Sequence, residues 1–293
     1  MNVQTVAVLG SGTMGSGIAQ VCAQARYRTR LFDADAAALQ RGTTRITEFW
    51  EKGIAKGKTT PAQKAEWSAR LQPVTDLATA VRDADLVIEA VPEDLALKQR
   101  VFADLDRLAP KHALLASNTS SLSVSAIASA TKRPQQVLGL HFFNPVPLMQ
   151  LLEIVRHDGV TPEVLASAQA VGKALGKTTI VVKDSPGFAT SRLGIVLGNE
   201  AMRMLEEGVA SAKDIDTAMR LGYGHPMGPL ELSDLVGLDV RANVSAYLYS
   251  KFGGAHYKPP AIAQKLVAAG ELGKKTGKGF YDWSSGEPKE RKP

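Results

Sequence analysis

One cysteine, Cys22, is all that the 293 residues contain. A lone thiol excludes a disulfide framework and a cysteine-based zinc site. No run of about 18 apolar residues occurs, so no ordinary membrane-spanning helix is expected. A basic-then-apolar leader is also missing, because residues 3–9 already read as a strand, and the expectation is a cytoplasmic protein. There is no internal repeat. The net charge is +6, yet no zinc-finger spacing and no basic–aromatic repeat accompanies it. Neither nucleic acid nor a membrane is therefore an expected partner, no metal is expected, and a phosphorylated small molecule suits the charge better.

What is present is a globular composition, 44% hydrophobic and 22% charged, at a length that allows one large domain or two ordinary ones. The most informative segment follows the first apolar run: Gly10-Ser11-Gly12-Thr13-Met14-Gly15. Gly10, Gly12 and Gly15 fit a dinucleotide-binding turn. The first allows a tight bend, the second lets backbone approach a pyrophosphate, and the third lets helix pack on strand. The helix read at Ile18-Ala19-Gln20-Val21-Cys22-Ala23 would turn its free N–H groups toward phosphates. A second apolar run ends in Asp33, about 20 residues beyond the glycines, where a carboxylate hydrogen-bonds a ribose 2′-OH.

Short apolar runs alternate with helical patterns through the first part of the chain, which argues an α/β fold with a largely parallel sheet. Strands are expected at 3–9, 29–33, 86–90, 113–117, 137–141, 151–155 and 179–183. Residues 35–71 are too long for a plain crossover and read as an inserted helical hairpin, broken between Gly53 and Pro61. From Phe188 only helical patterns continue, at 189–207, 212–221, 228–251 and 260–270. Pro186-Gly187 reads as the hinge between domains, and the polar tail beyond Phe280 as frayed.

Two groups of residues invite chemistry. His141 ends an apolar run at the carboxyl edge of the sheet, where open α/β sheets bind ligands. Twelve residues on, Glu153 stands among four aliphatic residues, and a carboxylate there is costly to bury unless paired. An imidazole is a natural partner. On the residues alone, a solvent-facing Glu on an edge strand and a structural strand-end His fit equally well. Asn118-Thr119-Ser120-Ser121 follows another apolar run at the same edge, either to orient a polar ligand or to cap the next helix.

Taken together these segments resemble the L-3-hydroxyacyl-CoA dehydrogenase family, especially its stand-alone bacterial 3-hydroxybutyryl-CoA dehydrogenases. The resemblance covers nearly the whole chain. It rests on residues 10–20, 89–93 and 117–121, on Gly139-Leu140-His141-Phe142-Phe143-Asn144-Pro145-Val146-Pro147, and on residues 183–188, 222–229 and 275–281. The His-Phe-Phe-Asn-Pro-Val-Pro segment is the specific one. The fold implied is a Rossmann-type doubly wound, mostly parallel sheet with an inserted helical hairpin (residues 1–185), followed by an all-α C-terminal domain (residues 186–293) that binds substrate and forms a homodimer.

The reaction implied is reversible, NAD-linked oxidation of a short-chain 3-hydroxyacyl-CoA. His141 would be the general base, with Glu153 holding and stabilising it and Ser120 bonding the substrate oxygen. Gly10, Gly12, Thr13, Met14, Gly15, Asp33, Glu89, Lys98 and Asn118 would serve the cofactor. Asn118 would also lie beside the substrate, and Lys56 or Lys58 of the hairpin would meet CoA phosphates. One departure stands out: three residues beyond Phe188, where the family commonly has Asn, this chain has Ser191, which puts substrate preference in question. Asp33 followed by Ala34 favours NAD over NADP, because a 2′-phosphate would meet the carboxylate. A related NAD dehydrogenase of a non-CoA hydroxy or sugar acid, of the L-gulonate type, is the alternative enzyme. A non-catalytic NAD-binding protein is the alternative outside enzymes, and it leaves His141 and Glu153 without a purpose.

Overall fold

The computed structural model describes residues 3–291 and divides between Ser185 and Pro186 into two compact units. In chain order the first holds β1 (Thr5–Leu9), α1 (Thr13–Gln24), β2 (Arg28–Phe32), α2 (Ala36–Ala55), α3 (Pro61–Arg70), β3 (Leu71–Val74), α4 (Leu77–Val81) and β4 (Leu86–Glu89). It continues with α5 (Leu95–Leu108), β5 (Leu114–Ser117), α6 (Val124–Ala128), β6 (Val137–Phe142), β7 (Leu151–Arg156), α7 (Pro162–Ala174) and β8 (Thr178–Lys183).

The eight strands form one sheet in the order β3-β2-β1-β4-β5-β6-β7-β8. Every neighbouring pair is parallel except β6–β7. Central strands β1, β4, β5 and β6 are buried along their whole length, as expected for a parallel sheet covered on both faces. One face packs Val6, Val8, Ile18 and Leu140 with Trp50 of α2; the other packs Leu9, Phe102, Leu105 and Leu115. Cys22 lies in the first of these cores, and burial pushes its thiol up to about 12, an inert packed group.

The expected strands all form, with ends shifted by one or two residues. The sequence missed β3. It is four residues long and contains Pro73, which a sheet tolerates only because β3 is its edge. The inserted hairpin is α2 and α3. Asp35 caps the first, while Pro61 and a Thr60–Gln63 capping box start the second.

The second unit contains α8 (Thr190–Glu206), α9 (Ala212–Gly222), α10 (Pro229–Val236), α11 (Leu238–Phe252) and α12 (Ala261–Ala268). The sequence reads α10 and α11 as one helix. Gly237, at φ 105°, divides them in a conformation that other residues rarely adopt. The unit is not purely helical: β9 (Tyr281–Asp282) pairs antiparallel with β10 (Lys289–Glu290). The tail expected to fray is therefore tied down as far as Arg291, which bonds Glu271 and the Gly279 carbonyl.

Candidate active site

β1 delivers the chain to Gly10, at φ 93°, where a Cβ would come within 2.7 Å of the Ala90 carbonyl oxygen. At Gly15 a Cβ would stand 1.7 Å from the Gly10 oxygen, so no other residue fits either place. Around Gly12, by contrast, space is open within 4 Å, where a ligand's phosphate can approach backbone. Among the described residues, α1 alone of the first unit's seven α-helices has no side chain capping its N-terminus; the other six are capped by Asp35, Thr60, Asp76, Asp94, Ser123 and Thr161. The turn thus leaves helical N–H donors to an anion.

Asp33, just past β2, accepts hydrogen bonds from the Ser11 amide (2.8 Å) and the Ser11 hydroxyl (2.7 Å) on one oxygen, and from the Asp35 amide (3.1 Å) on the other. Partial burial would raise its pKa, but these donors prevail and hold the carboxyl below the usual range. It is a fixed negative charge beside the glycine turn. Arg30 of β2, a cation close to Asp33 in sequence, is committed to Asp83 and to the Ala80 carbonyl.

His141 and Glu153 face each other across the β6–β7 ladder as direct cross-strand partners. His141 Nδ1 and Glu153 Oε2 are 2.6 Å apart, with Glu153 fully buried and His141 7% exposed. Glu153 is not on an edge strand, since β8 lies outside β7. The Phe143 ring lies 4.4 Å from the imidazole, tilted by 46°. Asn118 supports the same strand end, its Oδ1 accepting the Phe142 amide at 3.0 Å.

A glycine turn with an uncapped helix, a fixed carboxylate after β2 and a buried His–Glu pair occur here in one sheet. The family models match in the same order: "3-hydroxyacyl-CoA dehydrogenase, NAD binding domain" over residues 5–185, and "3-hydroxyacyl-CoA dehydrogenase, C-terminal domain" over residues 187–283. The chain belongs to the 3-hydroxyacyl-CoA dehydrogenase family. A probable 3-hydroxybutyryl-CoA dehydrogenase of Bacillus subtilis is 41% identical over 97% of this chain and 98% of its own. The crystal structure of FadB2 from M. tuberculosis superposes with a TM-score of 0.93 at 42% identity, covering 96% of this chain and 99% of that one. The (S)-3-hydroxybutyryl-CoA dehydrogenase PaaH1 from Ralstonia eutropha gives 0.92 at 40% identity, again over 96% and 99%.

The remaining expected site residues of this dehydrogenase fall into three groups. Glu89 and Lys98, assigned to the cofactor from sequence, are both fully enclosed. Glu89 accepts from Lys98 Nζ (2.7 Å), the Val91 amide (2.7 Å) and the Ser117 hydroxyl (2.6 Å), while Lys98 also donates to the Asn118 carbonyl (3.2 Å). Burial raises the Glu89 pKa even though Lys98 pulls the other way. With no exposed surface, the pair ties together the loops after β4 and β5 through the Val91 amide and the Asn118 carbonyl. The partner that sequence reading passed over is Glu93, one oxygen of which accepts from the Thr119 hydroxyl (2.6 Å) and the Ser120 amide (3.0 Å), with the Ser120 hydroxyl at 3.4 Å. Its signal was its place at the end of the 89–93 segment.

Lys56 and Lys58 are exposed in the turn between α2 and α3, in no ion pair among the described residues. The hairpin itself rests on the glycine turn. A Cβ on Gly42 would meet the Ser11 oxygen at 2.6 Å, and Arg45 donates to the Ser16 hydroxyl at 3.0 Å. Arg45, Thr13, Gly17, Phe49 and Asn144 help to line a cavity of about 90 Å³ beside α1, another feature that sequence spacing did not reveal. Ser191 belongs to the second unit, one residue into α8, and is half-buried.

Proposed function

We propose that this dehydrogenase reversibly oxidises (S)-3-hydroxyacyl-CoA thioesters of short acyl chain, 3-hydroxybutyryl-CoA first among them, using NAD. The buried contact between His141 Nδ1 and Glu153 Oε2 is the observation that carries the reading. A carboxylate sealed against an imidazole is costly to keep for packing alone, and it suits a base that gains positive charge during the reaction.

The open backbone at Gly12, the uncapped start of α1 at Thr13 and Met14, and the fixed Asp33 carboxylate fit a pyrophosphate and an unphosphorylated ribose. NAD bound there supplies the hydride acceptor. His141 takes the substrate hydroxyl proton on Nε2 as the carbon is oxidised, and returns it in reduction. Glu153 fixes the imidazole's orientation through Nδ1 and stabilises its cation. Ser120 donates to the substrate oxygen, Asn118 keeps the strand end beside it in register, and Ser191 is a substrate-binding hydroxyl in place of an amide. Lys56 and Lys58 meet CoA phosphates.

The working form is a homodimer in the cytoplasm. Leu232, Leu235, Val236 and Val240 of α10 and α11 support the dimer, each exposing more than a third of its surface. The decisive assay follows loss of NADH absorbance with acetoacetyl-CoA, run beside NADPH and beside free acetoacetate. Turnover with the thioester and NADH alone is expected. Equal turnover of free acetoacetate would favour a non-CoA hydroxy acid. His141→Ala is expected to lose about 10²- to 10⁴-fold in kcat while keeping NAD affinity, and full activity in that variant would refute the mechanism.

A further inference from the structure

The loop of residues 143–150 joins β6 to β7, and so joins the strand of His141 to that of Glu153. It also touches the cofactor helix, since a Cβ on Gly17 of α1 would stand 2.9 Å from Val146 Cβ. Its tip is open to solvent, with Leu148 66% and Met149 40% exposed. Within the loop, the Leu148 and Met149 amides both turn back to the Pro145 carbonyl.

A single ammonium holds this loop from outside. Lys177 Nζ donates to the Val146 carbonyl at 2.6 Å and to the Met149 carbonyl at 2.7 Å. Among the described residues, no other side chain hydrogen-bonds the loop's backbone. The backbone of Lys177 is itself fixed. Its amide bonds the Gly172 carbonyl and the Gly176 amide bonds that of Lys173, a Schellman ending of α7, with Gly176 at φ 70°. The next residue, Thr178, donates to the Gln150 carbonyl at 2.8 Å and opens the β7–β8 ladder. Both ends of the reach are therefore rigid.

The choice of partners is informative. A half-buried ammonium normally finds a carboxylate, yet this one meets two neutral carbonyls, and burial lowers its pKa with nothing offsetting it. Such a placement costs stability unless the loop must be held.

We infer that Lys177 is a positioning residue for the reaction, clamping the 143–150 loop so that Phe143 stays against His141 and the His141–Glu153 geometry is kept. The inference rests on the proposed role of His141. A long donor-bearing cation is required. Arginine can span the same two carbonyls, whereas methionine matches the length and donates nothing.

The test uses the full chain with Lys177→Met, Lys177→Arg and His141→Ala. In Lys177→Met, kcat with acetoacetyl-CoA is expected to fall about 10- to 100-fold, the range set by small misplacements of catalytic groups. NAD affinity should stay within about twofold of wild type, because the glycine turn is untouched. Lys177→Arg should restore most of the loss. Chymotrypsin should cut Lys177→Met after Leu148 or Met149 faster than wild type, which reads the clamp independently of chemistry. Wild-type kcat and wild-type cleavage in Lys177→Met would overturn the inference. So would a kcat that falls only in step with the folded fraction and is not rescued by arginine. A fully active His141→Ala would instead overturn the general-base reading, with the cleavage result still deciding whether the clamp exists.

Discussion

Glu153 in the sheet unit and Asp234 in the helical unit are both carboxylates with no exposure, and they are satisfied in opposite ways. Asp234 of α10 is held by fixed donors that never change charge: the Phe280 and Tyr281 amides and Trp283 Nε1, each at 2.9 Å. They bind the ordered tail to α10. Burial pushes the Asp234 pKa up against these donors, and nearby Asp216 pushes the same way. Glu153 is joined at 2.6 Å to a ring that can pick up a proton. A buried acid beside fixed dipoles serves the fold. A buried acid beside a titratable base, at the carboxyl edge of a parallel sheet, serves chemistry.

The sharpest way to break that contrast is a matched pair of amide substitutions. Glu153→Gln keeps the shape and removes the charge that stabilises the imidazolium. Its kcat is expected to fall about 100-fold or more, within the general range for an impaired acid–base group, with a thermal midpoint close to wild type. Asp234→Asn turns an amide NH₂ toward N–H donors. It is expected to cost about 3 kcal/mol of stability with unchanged kcat per folded molecule. Urea titration and steady-state kinetics on both variants read the two quantities. If Glu153→Gln loses stability but not turnover, the contrast collapses.

A second pairing tests charge inside the sheet unit itself: Glu89→Gln leaves the enclosed Lys98 ammonium without its nearest charge. Breaking a buried ion pair on one side typically costs about 3–5 kcal/mol, whereas replacing both members with apolar groups is often nearly neutral. Glu89→Gln is therefore expected to be much less stable than the double variant Glu89→Met with Lys98→Met. A loss under about 1 kcal/mol in the single variant would mean that Glu93, 3.5 Å from Lys98, already neutralises it.

The fold was legible wherever burial was continuous along the chain. β1, β4, β5 and β6 are apolar runs because both faces of the sheet are covered. β3 was not legible, since four residues around Pro73 acquire strand geometry only from pairing with β2. The ordering of the tail depends on Asp234 and Glu271, both distant in sequence. In the site, the spacing of His141 and Glu153 hinted at a partnership, but their cross-strand register follows from the loop between them. Glu89 and Lys98 look like ligand contacts in a motif; their enclosure depends on how α5 seats against β4 and β5. Lys177 gave no signal, because its two acceptors are backbone carbonyls and carry no side-chain signature.

The smallest effect expected is also the one that separates the two kinds of acid by sign. Asp33 has a folded pKa below its ordinary value. Its contribution is therefore complete above the unfolded carboxyl pKa of about 3.9 and disappears as the pH falls through the lower folded value. Asp234, raised by burial, runs the other way: its contribution is present below the unfolded pKa and is lost as the pH rises through the folded one. Asp33→Asn, which weakens the bonds to Ser11, should cost about 1–2 kcal/mol at neutral pH. That deficit should shrink as the pH falls from about 4 through the lower folded pKa, where the wild-type carboxyl takes up a proton. Thermal melts of Asp33→Asn and wild type across this range, with NADPH-supported turnover measured beside NADH, test both roles of the carboxylate. The variant should gain NADPH activity relative to NADH, because the charge that repels a 2′-phosphate is gone. A pH-independent deficit with unchanged cofactor preference would overturn both roles of the Asp33 carboxylate.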